Sequence, residues 1–148
     1  MSQTESEKRA YQGIPMIGVG ALVCENQSVL LVRRKNDPGR GFWSLPGGLL
    51  EWGETIAEAV VREILEECGI ECKPVRMLEV IDFIDRDHAG KPRYHYVLIN
   101  FLASTTDMSL TAGSDVNAAS WFDSSQMEQI AMLPLTRSFI QRHLPEFL

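Results

Sequence analysis

The chain of 148 residues has only three cysteines, Cys24, Cys68 and Cys72. A small, odd set of thiols argues against a disulfide framework and agrees with a reducing compartment. Cys68 and Cys72 stand four apart, but no second thiol pair completes a zinc pattern, and free cysteine is usually buried. Long hydrophobic runs are missing too. None approaches the roughly 18 residues that span a bilayer, and the opening MSQTESEKRA lacks the basic-then-apolar layout of a secretion leader. The expectation is a cytoplasmic protein without membrane contact. Positive charge is also short: 14 Lys and Arg against 20 Asp and Glu leave a net charge of −6, with the cations scattered. The basic patch of a nucleic-acid-binding surface is therefore absent, and an anionic ligand would need local cations between it and this acidic chain.

What remains is an ordinary globular composition, 45% hydrophobic and 23% charged. A chain of this length forms one domain and buries well over half of its unfolded surface. The division expected is a polar, flexible N-terminus over residues 1–12 and a single domain over 13–148, with no internal repeat.

Two apolar runs, IGVGALVC and SVLLVRR, flank a polar ENQ break and read as a hairpin of two strands. The next stretch, KNDPGRGFWSLPGG, is dense in Gly and Pro. Its composition forbids helix and predicts a loop with unusual backbone angles at Gly47 and Gly48; long ordered loops are often functional. Thr55 with Glu58 predicts a capping box at the start of a helix, and Gly69 supplies the stop. Ala57, Val60, Val61, Ile64, Leu65 and Cys68 recur at helical spacing and mark its predicted core face. Downstream, VRMLEVIDFI and YHYVLINFLA read as paired strands, a short strand follows near SWF, and residues 135–144 read as a terminal helix. Helices mixed irregularly with strands place the fold in the α/β or α+β class, with helices covering a mixed sheet.

The helix poses a chemical question. Glu63, Glu66 and Glu67 lie three and four apart, so their side chains are predicted to converge, although like charges at that spacing cost roughly 0.2–0.5 kcal/mol per pair. A solvated face is the usual fate of such a run. A hard divalent cation would instead make the crowding useful, because Mg²⁺ takes oxygen ligands and combines carboxylates with substrate phosphates.

The wider pattern decides between them. Gly48, five residues, Glu54, seven residues, then Arg62, Glu63, Ile64, Leu65, Glu66, Glu67, Cys68, Gly69 and Ile70 match every specified position of the box of the Nudix hydrolases, which the chain resembles. The lead-in FWSLPGG and the strand order are also similar to that family, over roughly residues 14–125. The resemblance implies the Nudix α/β/α sandwich with its loop-helix, and hydrolysis of a nucleoside diphosphate linked to another moiety. It implies Mg²⁺, with Mn²⁺ a substitute, on Glu63, Glu66, Glu67 and the carbonyl of Gly48, with Glu54 and Arg62 supporting the site. The general base stays open between Glu63, Glu66 and an acid on a later loop, for which Asp115 is the candidate.

Recognition is less sharply written. Arg33, Arg34, Lys35 and Arg40 surround the loop before the box and could meet phosphates; Trp43, Tyr94 and Tyr96 could stack on a base, although strand aromatics are more often core. Markers of the NADH-cleaving branch, of one ADP-ribose branch (a proline about 15 residues after the box) and of the dinucleoside-polyphosphate branch are missing, while RYHYVLINFLA is similar to small members assigned to ADP-ribose or nucleoside triphosphates. The leading substrate is ADP-ribose or a related nucleotide sugar. A house-cleaning triphosphate pyrophosphatase stands second. A non-catalytic nucleotide-sensing module stands third, disfavoured by the intact box. The expected partner is a small-molecule nucleotide, and a homodimer stays open because dimers are common among small enzymes.

Overall fold

The computed structural model describes residues 2–113 and 116–144. Its spine is β1 (Met16–Glu25), an interior strand that pairs antiparallel with β2 (Ser28–Arg34). Asn26 and Gln27 turn the hairpin with φ of 48° and 60°, the left-handed pair that a two-residue connection needs to match strand twist. On its other side β1 runs parallel to β6 (Pro92–Ser104), in register from Met16 opposite Tyr96 to Val23 opposite Ala103. β6 in turn pairs antiparallel with β5 (Lys73–Arg86). Two short strands, β3 (Trp43–Ser44) and β4 (Gly47–Leu49), break the Gly-Pro-rich stretch and pair with β2 and β1. β7 (Val116–Phe122) closes the far side against β2.

Alternation along the strands divides the core. Val19, Ala21 and Val23 of β1 and Leu30 and Val32 of β2 pack with Ala59, Val60, Ile64 and Cys68 of α2 (Ile56–Cys68). Leu22, Val29 and Leu31 point the opposite way, onto Phe139 and Ile140 of α4 (Pro134–His143) and Met127 of α3 (Ser124–Met127). A period of two thus sends one strand into two separate cores, and the result is a mixed sheet between helices, the α/β/α sandwich expected from the resemblance.

Three local readings need correction. The left-handed glycines of the loop are Gly39 and Gly41, with φ of 82° and 86°, whereas Gly47 and Gly48 are extended and lie in β4. They are glycines for lack of room: a Cβ on Gly47 would stand 2.0 Å from the Val19 carbonyl oxygen, and one on Gly48 would stand 2.4 Å from the Glu63 carboxylate. The helix start is half a capping box. Thr55 Oγ1 accepts from the Glu58 amide at 3.2 Å but donates to the Glu58 carboxylate at 2.9 Å, so Glu58 does not reach back to the Thr55 amide. The cap alone contributes about 1 kcal/mol. The buried face of α2 is also rotated from the predicted one. Ala59, Val60, Ile64, Glu67 and Cys68 are buried, while Ala57 and Leu65 face solvent, because β4 and β1 meet the helix on the side that carries Glu67. Gly69 closes it as read, with φ of 71°. Residues Glu5–Arg9, within the polar opening, form a short helix, α1, capped by Thr4.

Candidate functional site

A carboxylate of the helix ties it to the strand before it. Glu67 is only 6% exposed, an expensive place for a charge unless it is hydrogen-bonded, and its Oε1 accepts from the Gly47 amide at 2.8 Å. The missing side chain of Gly48 lets the strand come this close to the helix, and that of Gly47 lets it lie tight against β1. Twenty residues of chain are thereby closed onto a single backbone donor.

Arg62 organises the other acids. Its Nε and Nη2 donate to the two oxygens of Glu54 at 3.0 and 2.6 Å, Nη1 donates to Glu63 at 2.7 Å and to Glu66 at 3.2 Å, and Nη2 also reaches the Leu49 carbonyl at 2.9 Å. The planar fork of a guanidinium suits such multiple contacts. The hydrogen bond from Arg62 lowers the Glu54 carboxyl below its usual range against the opposing effect of burial; Glu54 in turn raises the Arg62 guanidinium, which stays charged. The repulsion that the spacing creates is relieved here by one cation and one amide.

The three glutamates therefore do not converge on a common point as their spacing predicts. Glu63 and Glu66 meet at Arg62 while Glu67 turns to Gly47, and among the described residues no group of three or more His, Cys, Asp or Glu side chains is gathered closely enough to hold a metal ion. The donor set nonetheless has one chemical character. Carboxylates of Glu63, Glu66 and Glu67 and the backbone of β4 offer only hard oxygens, which suit Mg²⁺ or Mn²⁺. The Glu63 carboxylate occupies the room left by the missing Cβ of Gly48, which sets it directly against the β4 backbone.

A cleft of about 490 Å³ runs from these residues across β1 and β6, within the range of small-molecule sites. Glu63, Glu67, Gly47 and Gly48 line it, and Glu66, 52% exposed at its side chain, does not. Of the residues read as substrate-binding, Arg34 and Tyr96 line it and Arg33 lies on the exposed face of β2. Burial lowers the Arg34 guanidinium below the ordinary arginine range, opposed by the charge of Glu67; Arg34 Nε donates to the Pro38 carbonyl at 2.6 Å. Burial raises the Tyr96 phenol above its usual value. Lys35 is also at the cleft, and Arg40 is exposed away from it. Trp43 packs edge-on against Phe122 at 4.8 Å in the α4 core, and Tyr94 is buried with its ring stacked 6.4 Å from that of Tyr96. Asp115 lies outside the described residues.

Sequence reasoning missed Asn100, Phe83 and Arg9, all of which line the cleft. Asn100 carried a signal: a polar residue inside the apolar run VLINFLA is conspicuous in a buried strand. It is 6% exposed, and Gly20 makes room for it, since a Cβ there would stand 2.5 Å from Asn100 Oδ1.

Comparison with known proteins agrees with this geometry. The NUDIX domain matches residues 14–143. The chain is 39% identical over 117 residues to an ADP-ribose pyrophosphatase of Methanocaldococcus jannaschii, covering 79% of this chain and 67% of that protein. It is 41% identical over 112 residues to a putative ADP-ribose pyrophosphatase of Bacillus subtilis, covering 76% of this chain and about half, 51%, of that protein. The crystal structure of a MutT NUDIX hydrolase from Burkholderia pseudomallei superposes with a TM-score of 0.73 at 32% identity, over 86% of this chain and 97% of that one. No helix among the described residues is long and apolar enough to cross a membrane. Matched over nearly all of its described length, in sequence and in fold, the chain belongs to the Nudix hydrolase family.

Proposed function

We propose that the protein hydrolyses the diphosphate bond of a nucleoside diphosphate linked to a second moiety, with ADP-ribose or a related nucleotide sugar as substrate. The observation that carries the reading is the buried carboxylate of Glu67, held by the Gly47 amide and lining one cleft with Glu63 and the Arg34 guanidinium. Two relatives that bear the name ADP-ribose pyrophosphatase, one of them as putative, support the choice of substrate.

Glu63, Glu66, Glu67 and the Gly48 carbonyl would hold Mg²⁺. Such an ion neutralises phosphate oxygens and lowers the pKa of a bound water. The chain's own residues supply the rest. Arg62 fixes the rotamers of Glu54, Glu63 and Glu66 by hydrogen bonds, so the carboxylates are placed before substrate arrives. Gly47 holds Glu67 in the cleft wall. Arg34, half-buried with one backbone acceptor, offers its remaining N–H groups to a phosphate. A carboxylate on the cleft takes the proton of the attacking water, and Glu63 and Glu67 are the box carboxylates that line it.

The test is a panel of ADP-ribose, NADH, dinucleoside polyphosphates and canonical or oxidised triphosphates with Mg²⁺, with products identified. ADP-ribose is expected to give AMP and ribose 5-phosphate at the highest kcat/KM. Preferential release of inorganic pyrophosphate from a triphosphate would replace the substrate assignment, and no turnover of any of them would remove the reading.

A further inference from the structure

The NUDIX domain match begins at residue 14, yet two residues upstream of it, Glu5 and Arg9, line the cleft. Their helix is fastened in place from the far hairpin. Tyr94 Oη donates to the Ser6 carbonyl at 3.2 Å, Tyr11 Oη donates to Asp87 Oδ2 at 2.8 Å, and the Tyr11 amide donates to the Arg93 carbonyl at 2.7 Å. α1 is therefore a piece of the cleft wall, set against β5 and β6.

Three donors meet there with few acceptors. Tyr96 is 6% exposed, and among the described residues its buried hydroxyl makes no well-formed hydrogen bond, although a buried hydroxyl without a partner carries a desolvation cost of about 1–3 kcal/mol. Arg9 and Arg34 both stand close enough to act on that hydroxyl. Among the described residues Arg9 meets the Tyr96 hydroxyl and makes a long contact with Glu5, 4.0 Å, of the surface kind that contributes little. Among the described residues Arg34 donates one hydrogen bond, from Nε. Two guanidiniums and a phenol with donors to spare, in a chain of net charge −6, constitute a place for an anion.

We propose that α1 completes the substrate cleft, and that Arg9 acts there with Arg34 and Tyr96 as a donor subsite for a phosphoryl group of the nucleotide. The inference rests on the functional reading above and adds to it a recognition residue from outside the family domain. Binding draws Arg9 from Glu5 to the phosphate, an exchange of a loose pair for a charge-assisted bond.

The experiment measures the Kd of ADP by calorimetry on the full chain in EDTA, together with steady-state kinetics on the best substrate of the panel. Arg9→Ala is expected to weaken ADP about tenfold and to raise KM by a similar factor, the order of one charge-assisted hydrogen bond, while kcat falls less than about threefold. Arg9→Lys is expected to recover part of the loss, and Glu5→Gln, which frees Arg9, to bind ADP at least as tightly as the parent. Should Arg9→Ala fail to fold, Tyr96→Phe takes its place, with weakening of about threefold or more expected. Parent protein that binds ADP alongside variants that bind it equally well overturns this inference and leaves the functional reading standing. Parent protein that neither binds ADP nor hydrolyses any member of the panel overturns both.

Discussion

The two walls of the cleft are built in opposite ways. On one side lie Gly47, Gly48, Glu63 and Glu67, drawn from 21 consecutive positions and already joined by short hydrogen bonds to Arg62 and to backbone. On the other side lie Arg9, Arg34 and Tyr96, brought together from three distant segments and left with donors to spare. The first wall is satisfied before any ligand arrives, as preorganised chemistry requires. The second has partners still to find, as recognition requires. Changes on the first should therefore act on kcat, and changes on the second on KM.

The severest way to test that division is Glu67→Gln. The amide oxygen can still accept from Gly47, so the fold should survive, with Tm within a few degrees by calorimetry, while kcat drops by about two orders of magnitude or more. An unchanged rate would remove Glu67 from the chemistry. Gly48→Ala comes next. The new methyl would stand 2.4 Å from the Glu63 carboxylate, and displacing that group is expected to cost about ten- to a hundredfold in kcat. Gly47→Ala sharpens the contrast, because its methyl meets backbone rather than a side chain; it should show first in urea unfolding, by about 1–3 kcal/mol. On the second wall, Arg34→Ala is expected to raise KM about tenfold with kcat nearly intact. Its exposed neighbour is the control: Arg33→Ala should change KM by less than about twofold. A shift in KM as large as that of Arg34→Ala would redraw the cleft.

The smallest effect is one of pH. Arg62 holds the folded-state pKa of Glu54 below its unfolded value, so the folded protein binds fewer protons there. The stabilisation is complete above the ordinary glutamate value of about 4.3, and it is lost as the pH falls through the lowered one. Glu54→Gln should thus flatten the acid limb of a Tm-against-pH curve below about pH 4.5, leaving the neutral region less affected. Identical acid limbs would show that the pair adds nothing to pH-dependent stability.

How much of this is legible in the sequence follows the same division. The box residues lie on one helix and the strand before it, so local spacing carries them, and the hairpins, α2 and α4 are read from periodicity and turn residues. Spacing could not tell which face of α2 is buried. Leu65 looks like a core position and is exposed, while Glu67 looks like a surface position and is buried, because β4 meets the helix there and only tertiary contact decides that. Gly47 and Gly48 stand out in the sequence as conformationally special, whereas the operative reason is contact distance, which depends on Val19 and Glu63. Arg9 left no trace in the sequence at all, since a polar opening is consistent with a loose end and nothing within it announces Tyr94 or Asp87 as its anchors.

The bare backbone at Gly47 and Gly48 bears on anyone who would re-engineer this protein. With neighbours at 2.0 and 2.4 Å, neither position tolerates any other amino acid without moving its surroundings, so a combinatorial library that randomises them spends its diversity on broken clones. Freezing those two sites and varying Glu5 and Arg9 instead, on the less buried α1 wall, would concentrate the search for new substrates where the scaffold can absorb change.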